Sequence, residues 1–315
     1  MFRLLLRFPI WEQHGGATEP TCRNIDNGLQ GGQNNFLGMQ YTTRPADIDS
    51  IIALVRSLME LFPDTYLRGF TSDFKSAYRQ ATANPLHAHL WILAIYDPVK
   101  GCPCFAIAAA QLFGCSAAPL NFCRIPGWCS FVTSRLFCLA FVSCIDDMIT
   151  VECDSHADVA YKAWRLFASL CGWNIPDEKS PPPTQAFRAL GAMISLASSS
   201  CMDSFVTITP DRAEKLVKIF NDILKAGHLA PAYAGSIFGQ LGFTCTQFHG
   251  KWGRAKLRPF VRRQYEVDQY ALNPQLLSAI SWWLSNIPRA PSRQVFVNNS
   301  SRHVVISYSD GEPSY

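Results

Sequence analysis

Residues 136–153 read LFCLAFVSCIDDMITVEC, in which two β-prone runs flank the acidic pair Asp146 and Asp147. Two strand-forming runs around a short polar pair predict a β-hairpin with the acids at its tip. Adjacent carboxylates repel each other, and a cation held between them removes that repulsion; taken alone, the pair also fits a solvent-exposed acidic turn. Asp73 ends another β-prone run, LRGFTS at residues 67–72. If the two runs lie side by side, the three carboxylates converge on a spot that can hold two divalent ions.

The rest of the chain alternates between helical and strand-like patterns. Apolar residues at helical spacing, bounded by proline, glycine or capping residues, predict helices at residues 47–62, 157–171, 231–241 and 274–284 and one that starts at Pro210. Strands are predicted between residues 66 and 96, around a short helical turn, and again at residues 187–196 and 304–309. This mixture predicts an α+β fold in which a small antiparallel sheet is backed by helices.

Composition excludes several classes of protein. The 315 residues are 48% hydrophobic and only 17% charged, so the chain is neither a small disulfide-stapled peptide nor intrinsically disordered. Its net charge of +4 is too small to identify a polyanionic partner. The positive charge is local, however, because residues 208–264 contain ten Lys or Arg and three acids.

The cysteines and apolar runs bear on the compartment. Twelve scattered cysteines lack paired C-x-x-C spacing, which predicts free thiols. His87, His89, Cys102 and Cys104 form an alternative zinc set, but their alternate-residue spacing favours strand positions over a metal site. The N-terminal run lacks a cleavage site, and the longer apolar runs are interrupted by polar residues. We expect an intracellular protein, nuclear or cytoplasmic, that is neither secreted nor inserted in a membrane.

Three short motifs occur in the order found in the palm of reverse transcriptases. Residues 73–80, DFKSAYRQ, resemble the first motif, an Asp followed five residues later by an aromatic. Residues 111–122, QLFGCSAAPLNF, resemble the second motif, in which Phe-Gly precedes Ala-Pro and a Phe. Residues 144–147, CIDD, resemble the third motif, with Cys144 where the family has an aromatic. The sequence is therefore similar to reverse transcriptases of retrotransposon polyproteins, DIRS-type or related.

Weaker similarity extends to both sides of these motifs. Residues 23–34 resemble the fingers segment whose arginine faces the incoming triphosphate, with Asn27 where an acid is common. Residues 172–180 resemble the fourth motif with its lysine, and residues 190–191 resemble the strand that grips the primer. Residues 235–258 are similar to the region after the palm in DIRS-type polyproteins, and residues 306–310, ISYSD, resemble the first strand of an RNase H domain.

The resemblance implies an RNA-directed DNA polymerase that transfers a nucleotide from a deoxynucleoside triphosphate to a primer 3′-hydroxyl on an RNA or DNA template. Two Mg²⁺ or Mn²⁺ ions would be held by Asp73 and Asp146, with Asp147 beside them. Tyr78 would lie under the deoxyribose, and Arg23 and Lys179 would face the triphosphate. The implied substrate-binding residues are Arg23, Phe74, Tyr78, Phe113, Gly114 and Lys179. The acid-free basic cluster suits a nucleic-acid backbone and comprises Lys251, Arg254, Lys256, Arg258, Arg262 and Arg263.

The resemblance also implies a right-hand polymerase arrangement with a palm, partial fingers and a helical thumb-like region. The expected regions are partial fingers with a connecting helix at residues 1–66, the palm at 67–200 with a fingers insertion at about 79–110, a basic helical thumb-like region at 201–265, a linker at 266–302 and the truncated start of an RNase H-like domain at 303–315. Only one of the RNase H acids is present, so we expect no nuclease activity. We expect the chain to be a fragment of a longer element.

Two other functions would use the same residues. A catalytically silent relic of such a polymerase would bind nucleic acid without extending a primer, because its short fingers could not close on a nucleotide. A metal-dependent hydrolase would use the three acids without a primer, and only the acids favour it.

Overall fold

The computed structural model describes residues 4–12, 20–36, 45–196, 204–266 and 269–295. Within these ranges the strands are β1 (Leu4–Glu12), β2 (Thr21–Asp26), β3 (Leu67–Asp73), β4 (Ile92–Asp97), β5 (Cys102–Ile107), β6 (Val142–Cys144), β7 (Asp147–Cys153), β8 (Ala186–Ala189), β9 (Ala192–Ser195), β10 (Ser204–Ile208) and β11 (Arg293–Val295). The α-helices of the same ranges are α1 (Ile48–Leu61), α2 (Ala118–Phe122), α3 (Arg124–Leu136), α4 (Asp154–Leu170), α5 (Pro210–Ala226), α6 (Pro231–Thr246), α7 (Arg258–Tyr265) and α8 (Pro274–Asn286).

The described strands form three sheets. The central sheet has the order β3-β7-β6 and is antiparallel. The N-terminal sheet has the order β2-β1-β4-β5, with β1 and β4 parallel and its other pairs antiparallel. The C-terminal sheet has the order β11-β10-β9-β8 and is antiparallel. With helices packed against these sheets, the predicted α+β class is confirmed.

The central sheet is covered on both faces. On one face, Ile51 and Val55 of α1 share a core with Val151 of β7. On the other face, Trp164 of α4 shares a second core with Phe70 of β3. Successive strand residues point to opposite faces, so β3 and β7 are buried on both sides, as in a layered domain. The site described below lies where these two strands end.

The predicted hairpin is present, but its first arm is shorter than expected. Residues 124–136 form α3, and only Val142–Cys144 of the first arm is a strand. The sequence pattern did not predict α3, which buries Pro126, Cys129 and Thr133 at helical spacing. Asp147 is the first residue of β7, so the tip consists of Ile145 and Asp146 rather than the two acids. Ile145 has a φ of 56°, the left-handed conformation of a tight turn.

The single strand predicted at residues 187–196 is two strands. Leu190 and Gly191 both have positive φ, 48° and 66°, and form a two-residue turn between β8 and β9. A turn with two positive φ angles matches the right-handed twist of an antiparallel pair, and glycine adopts it without strain. The chain therefore reverses at a position that the apolar pattern had suggested was continuous.

The predicted helices are confirmed with small changes in their bounds. Asp47 caps α1 by accepting a hydrogen bond from the Ser50 N–H at 3.0 Å, and the Ser50 side chain accepts in return from the Asp47 N–H. α4 begins three residues earlier than predicted, and α6 extends beyond its predicted end to Thr246. α5 begins at the predicted proline and ends against Gly227, whose φ is 68°.

Other predictions are corrected or fall outside the described residues. His87 and His89 lie in a 3₁₀ helix, Pro85–Leu90, and not in a strand. Cys102 and Cys104 lie on strand β5, and every cysteine of the described ranges is a free thiol. The strand expected at residues 304–309, with the RNase H-like segment at 303–315, lies outside the described residues. No helix in the described part of the chain combines the length and apolar character that a membrane crossing requires.

The α1 interface with the central sheet can be tested by truncating one side chain. Ile51 is 0% exposed, and Ile51→Ala should lower the free energy of unfolding by about 2 to 4 kcal/mol, because a cavity replaces the lost methyl groups. The measurement is urea unfolding followed by tryptophan fluorescence. Leu61→Ala is the matched control, since Leu61 is 70% exposed on the same helix and should change the value by less than about 0.5 kcal/mol. Equal losses in the two variants would contradict this packing.

Candidate active site and nucleic-acid interface

The ladder between β3 and β7 brings the predicted acids to one end of the central sheet. It runs for seven residue pairs, from Leu67 opposite Cys153 to Asp73 opposite Asp147. Residues directly opposite each other in an antiparallel pair project from the same face, so these two carboxylates are neighbours. The turn residue Asp146 accepts at its carbonyl from the Phe74 N–H at 3.4 Å. The structure therefore joins the first and third sequence motifs at their acids.

Asp73 is held on one side by a lysine. The Lys179 ammonium donates to Asp73 Oδ2 at 2.5 Å, with the two side chains 48% and 28% exposed. The other oxygen, Asp73 Oδ1, is buried and has no hydrogen-bond partner among the described residues. A buried carboxylate oxygen without a donor costs about 1–3 kcal/mol or more, so this atom is available to a ligand.

A buried hydrogen-bond network positions the two segments that meet at this ion pair. The Ser72 and Ser180 hydroxyls lie 2.6 Å apart, and the Trp164 indole N–H donates to Ser72 Oγ at 2.9 Å. The Tyr161 hydroxyl donates to the Ser180 carbonyl at 2.6 Å. Ser72 precedes Asp73, and Ser180 follows Lys179, so the network fixes both chain segments. The sequence pattern did not identify these residues as part of the site, since their contacts join segments that are distant in the chain.

The pKa of Asp147 is shifted by its surroundings. Burial, together with the charges of Asp146 and Asp73, raises the pKa of Asp147 to about 6, while Lys179 opposes the change. Burial and nearby like charges both disfavour ionisation of a carboxyl, which explains the direction. The carboxylates therefore form a coupled, electronegative cluster.

The donor chemistry of this cluster fits a hard divalent cation. Carboxylate oxygens are the preferred ligands of Mg²⁺ and Mn²⁺, and Asp73 Oδ1 is an oxygen without a donor. Across the described residues, however, no group of three or more His, Cys, Asp and Glu side chains has the arrangement of a metal site. The Lys179 ammonium takes the second oxygen of Asp73. The carboxylates are thus of a suitable type for a divalent metal ion, but in the described residues their arrangement favours the Lys179 ammonium as the partner of Asp73.

Aromatic side chains line the space beside the acids. The Tyr78 ring lies 4.7 Å from the Phe113 ring and 5.7 Å from the Phe122 ring, measured between centroids. Burial raises the pKa of the Tyr78 hydroxyl, and the charge of Asp146 raises it further. Phe74 is fully buried, with an edge-to-face contact to Phe122 at 5.5 Å. Tyr78 and Phe113 are therefore brought together beside Asp146, whereas the Phe74 side chain belongs to the core and only its backbone faces the turn.

Gly114 is packed directly against β2. The Asp26 N–H donates to the Phe113 carbonyl at 3.0 Å, and a Cβ added at Gly114 would lie 1.7 Å from the Asp26 carbonyl oxygen. Gly114 also has a φ of 95°, which side chains rarely adopt. Arg7 binds the buried Asp26 carboxylate through two hydrogen bonds, at 2.7 and 3.2 Å. β2 includes Arg23, whose side chain is outside the described part of the structure.

The basic cluster is divided between surface and core. Arg254, Arg258 and Arg262 are exposed, and Lys256 is half-buried. Lys256, Arg258 and Arg262 line an open cavity of about 550 Å³ beside the start of α8. Arg254 and Arg258 also line a second cavity of about 470 Å³ against α6. No acid lines either cavity among the described residues. These four cations are therefore available to a polyanion, and the Lys251 side chain is outside the described residues.

The prediction that Arg263 contacts nucleic acid is wrong. Its side chain is 1% exposed, and its guanidinium donates to the carbonyls of Gln269 and Ala271, both at 2.7 Å. A buried arginine that satisfies backbone carbonyls ties α7 to the following segment and cannot reach a phosphate at the surface. The sequence pattern could not distinguish Arg263 from Arg262, because the two arginines are adjacent in the same basic segment.

Comparison with known proteins identifies the architecture. The sequence matches no protein-family profile and no curated protein. The solved structures that resemble it include a foamy viral protease-reverse transcriptase, dRH, in complex with double-stranded DNA and a foamy viral protease-reverse transcriptase in complex with an RNA/DNA hybrid. Each has a TM-score of 0.63 and 11% identity over 91% of this chain, which spans 44% and 33% of their lengths, respectively. The chain therefore has the fold of a reverse transcriptase polymerase region.

The raised pKa of Asp147 predicts a pH-dependent change in stability. Its pKa is about 6 in the folded chain against an ordinary value of 3.8, so its ionisation opposes folding increasingly as the pH rises from 4 to 7. Asp147→Asn should raise the free energy of unfolding by about 1 to 2 kcal/mol at pH 7.5, with the gain vanishing near pH 4. Urea unfolding in buffer with a metal chelator measures both values.

Asp158→Asn is the matched control for this measurement, with the opposite sign. The exposed Asp158 accepts a hydrogen bond from Arg68, which holds the pKa of this carboxyl below its ordinary value. Its replacement should therefore lower stability at pH 7.5, and the loss should shrink as the pH falls below 4. A loss of stability in Asp147→Asn at pH 7.5 would contradict the electrostatic description of the site.

Proposed function

We propose that the protein is an RNA-directed DNA polymerase of a retroelement, which extends a primer 3′-hydroxyl with deoxynucleoside triphosphates. The observation that carries the proposal is the meeting of Asp73 with Asp146 and Asp147 at one end of the central sheet, beside Tyr78 and Phe113. These residues come from three separate motifs, and the fold that joins them is that of a reverse transcriptase polymerase region.

The acids would bind the metal ions of the reaction. Two Mg²⁺ or Mn²⁺ ions held by Asp73, Asp146 and Asp147 would supply the charge that activates the attacking hydroxyl and stabilises the departing pyrophosphate. Asp73 would offer its buried Oδ1 for this purpose, and the hydrogen bond from the Phe74 N–H to the Asp146 carbonyl holds the backbone of the second acid beside the end of β3. The coupled negative charge of the cluster favours a multivalent cation over a proton at neutral pH.

The aromatic pair would shape the nucleotide pocket. Tyr78 would lie under the deoxyribose, where its ring leaves no room for a 2′-hydroxyl, and Phe113 with Gly114 would form the adjoining wall. The contact between the Tyr78 and Phe113 rings holds both in place, and Gly114 allows β2 to approach the pocket. Lys179 and Arg23 would supply positive charge to the triphosphate.

The exposed cations beside α7 would bind the backbone of the paired strands. Arg254, Lys256, Arg258 and Arg262 line two cavities without an acid, which favours phosphates and carries no sequence information. The structurally similar foamy viral proteins were solved with double-stranded DNA and with an RNA/DNA hybrid. Either duplex is therefore the partner that we propose.

A nucleic-acid-binding protein without polymerase activity is the second candidate. The ion pair between Lys179 and Asp73 favours it, because an internal cation occupies one of the oxygens that a metal would need. Both candidates predict duplex binding, and only the first predicts extension of a primer.

Primer extension distinguishes the two candidates. On an oligo(dT)-primed poly(rA) template with Mg²⁺ or Mn²⁺, the protein should incorporate dTTP, and Asp146→Asn should reduce the rate by at least about a thousandfold, because a carboxylate ligand is lost. Asp64→Asn is the matched control and should keep the full rate, since Asp64 is exposed in the turn after α1. Extension that survives Asp146→Asn would exclude the assigned site, and binding without any extension would favour the second candidate.

Duplex binding tests the basic surface separately from catalysis. Arg258→Ala should weaken the affinity for an RNA/DNA hybrid about 3- to 10-fold at 0.1 M salt and reduce the slope of log K against log salt by about 1, because one phosphate contact is lost. Fluorescence anisotropy over a salt series measures both. Arg135→Ala, which removes an exposed arginine at the end of α3, should leave both unchanged. Equal effects of the two substitutions would indicate that binding depends on net charge and not on this surface.

A further inference from the structure

The contact between Lys179 and Asp73 joins two residues that the polymerase function assigns to different tasks. Lys179 would serve the triphosphate, and Asp73 would serve the metal ions. In the structure the ammonium instead lies on Asp73 Oδ2 at 2.5 Å. While the ammonium lies on Asp73 Oδ2, it takes a position at which a metal ion would bind the same oxygen.

We propose, on the basis of the polymerase function above, that Lys179 is an internal counter-ion that competes with the divalent metal for Asp73. Metal binding is then the event that releases Lys179 toward the triphosphate. The lysine holds the metal-free site together, and the order of events is metal first and lysine second.

The geometry of the acidic end of the sheet explains why a counter-ion is held there. Asp73 lies directly opposite Asp147 in the β3–β7 ladder, and Asp146 is the adjoining turn residue. Lys179 is the cation that the structure pairs with Asp73. A single ammonium leaves an excess of negative charge, so a divalent ion is still attracted to the site.

The local structure allows the side chain to leave while its backbone stays. The backbone of Lys179 donates to the Pro176 carbonyl at 3.1 Å, and the next residue, Ser180, belongs to the buried network with Ser72 and Tyr161. The Lys179 side chain itself is about half exposed, and it has four rotatable bonds. The anchor is therefore rigid and the charged end is mobile, which suits a group that exchanges partners.

If Lys179 competes with the metal, removing its ammonium should lower the stability of the metal-free protein and raise its affinity for the metal. In metal-free buffer, Lys179→Met should lower the free energy of unfolding, because the carboxylates lose their counter-ion. The same substitution should tighten metal binding, because the metal no longer displaces the ammonium. A lysine with only a structural role would give the first effect without the second.

The experiment measures Mn²⁺ binding by the electron paramagnetic resonance signal of free Mn²⁺, without nucleotide or nucleic acid. Lys179→Met should bind Mn²⁺ about tenfold more tightly than the unmodified chain, and Lys179→Arg, which keeps the charge, within about threefold of it. Lys75→Met is the matched control, since it removes an exposed lysine from the loop after Asp73, and should change affinity by less than about twofold.

A double-mutant cycle shows whether the effect passes through Asp73. In the Asp73→Asn background, Lys179→Met should no longer tighten Mn²⁺ binding, because the shared oxygen has lost its charge. Unchanged affinity in Lys179→Met, an equal gain in the Asp73→Asn background, or no Mn²⁺ binding in any variant would overturn the proposal.

The outcomes separate this proposal from the polymerase function. Tighter Mn²⁺ binding in Lys179→Met without primer extension by the unmodified chain would support the competition and reject the polymerase. Primer extension with unchanged Mn²⁺ affinity in Lys179→Met would reject the competition and leave the polymerase in place.

Discussion

The site depends on the register between β3 and β7, which sets Asp73 opposite Asp147. A shift of one residue would turn one of these carboxylates toward the opposite face of the sheet. The register is fixed because both faces are buried, by α1 on one side and by α4 on the other. The packing of two cores thus determines the position of a few polar oxygen atoms at the end of the ladder.

Those oxygen atoms are unfavourable for the fold and useful for binding. Burial and the charges of Asp146 and Asp73 raise the pKa of Asp147, and one buried oxygen of Asp73 lacks a donor. Stability is supplied nearby by the hydrogen bonds among Ser72, Ser180 and Trp164. Electrostatic repulsion between carboxylates, next to a rigid support, is consistent with the cation binding that we propose for this site.

Short-range features were predictable from the sequence, and long-range contacts were not. The helix after Asp47 and the hairpin before Cys153 follow from local periodicity and capping. The helix α3 was missed because proline and glycine near its start obscure the pattern. The burial of Arg263 and the pairing of Lys179 with a residue 106 positions earlier depend on tertiary contacts that no local pattern contains. The acids were identified because motif order supplied the long-range information.

The close approach of Gly114 to Asp26 links two regions that are distant in sequence. With no side chain between them, and with a hydrogen bond from Asp26 to Phe113, strand β2 and the aromatic wall are in van der Waals contact through their main chains. Any displacement of β2 relative to the Phe113 loop must therefore break this hydrogen bond and separate the two main chains.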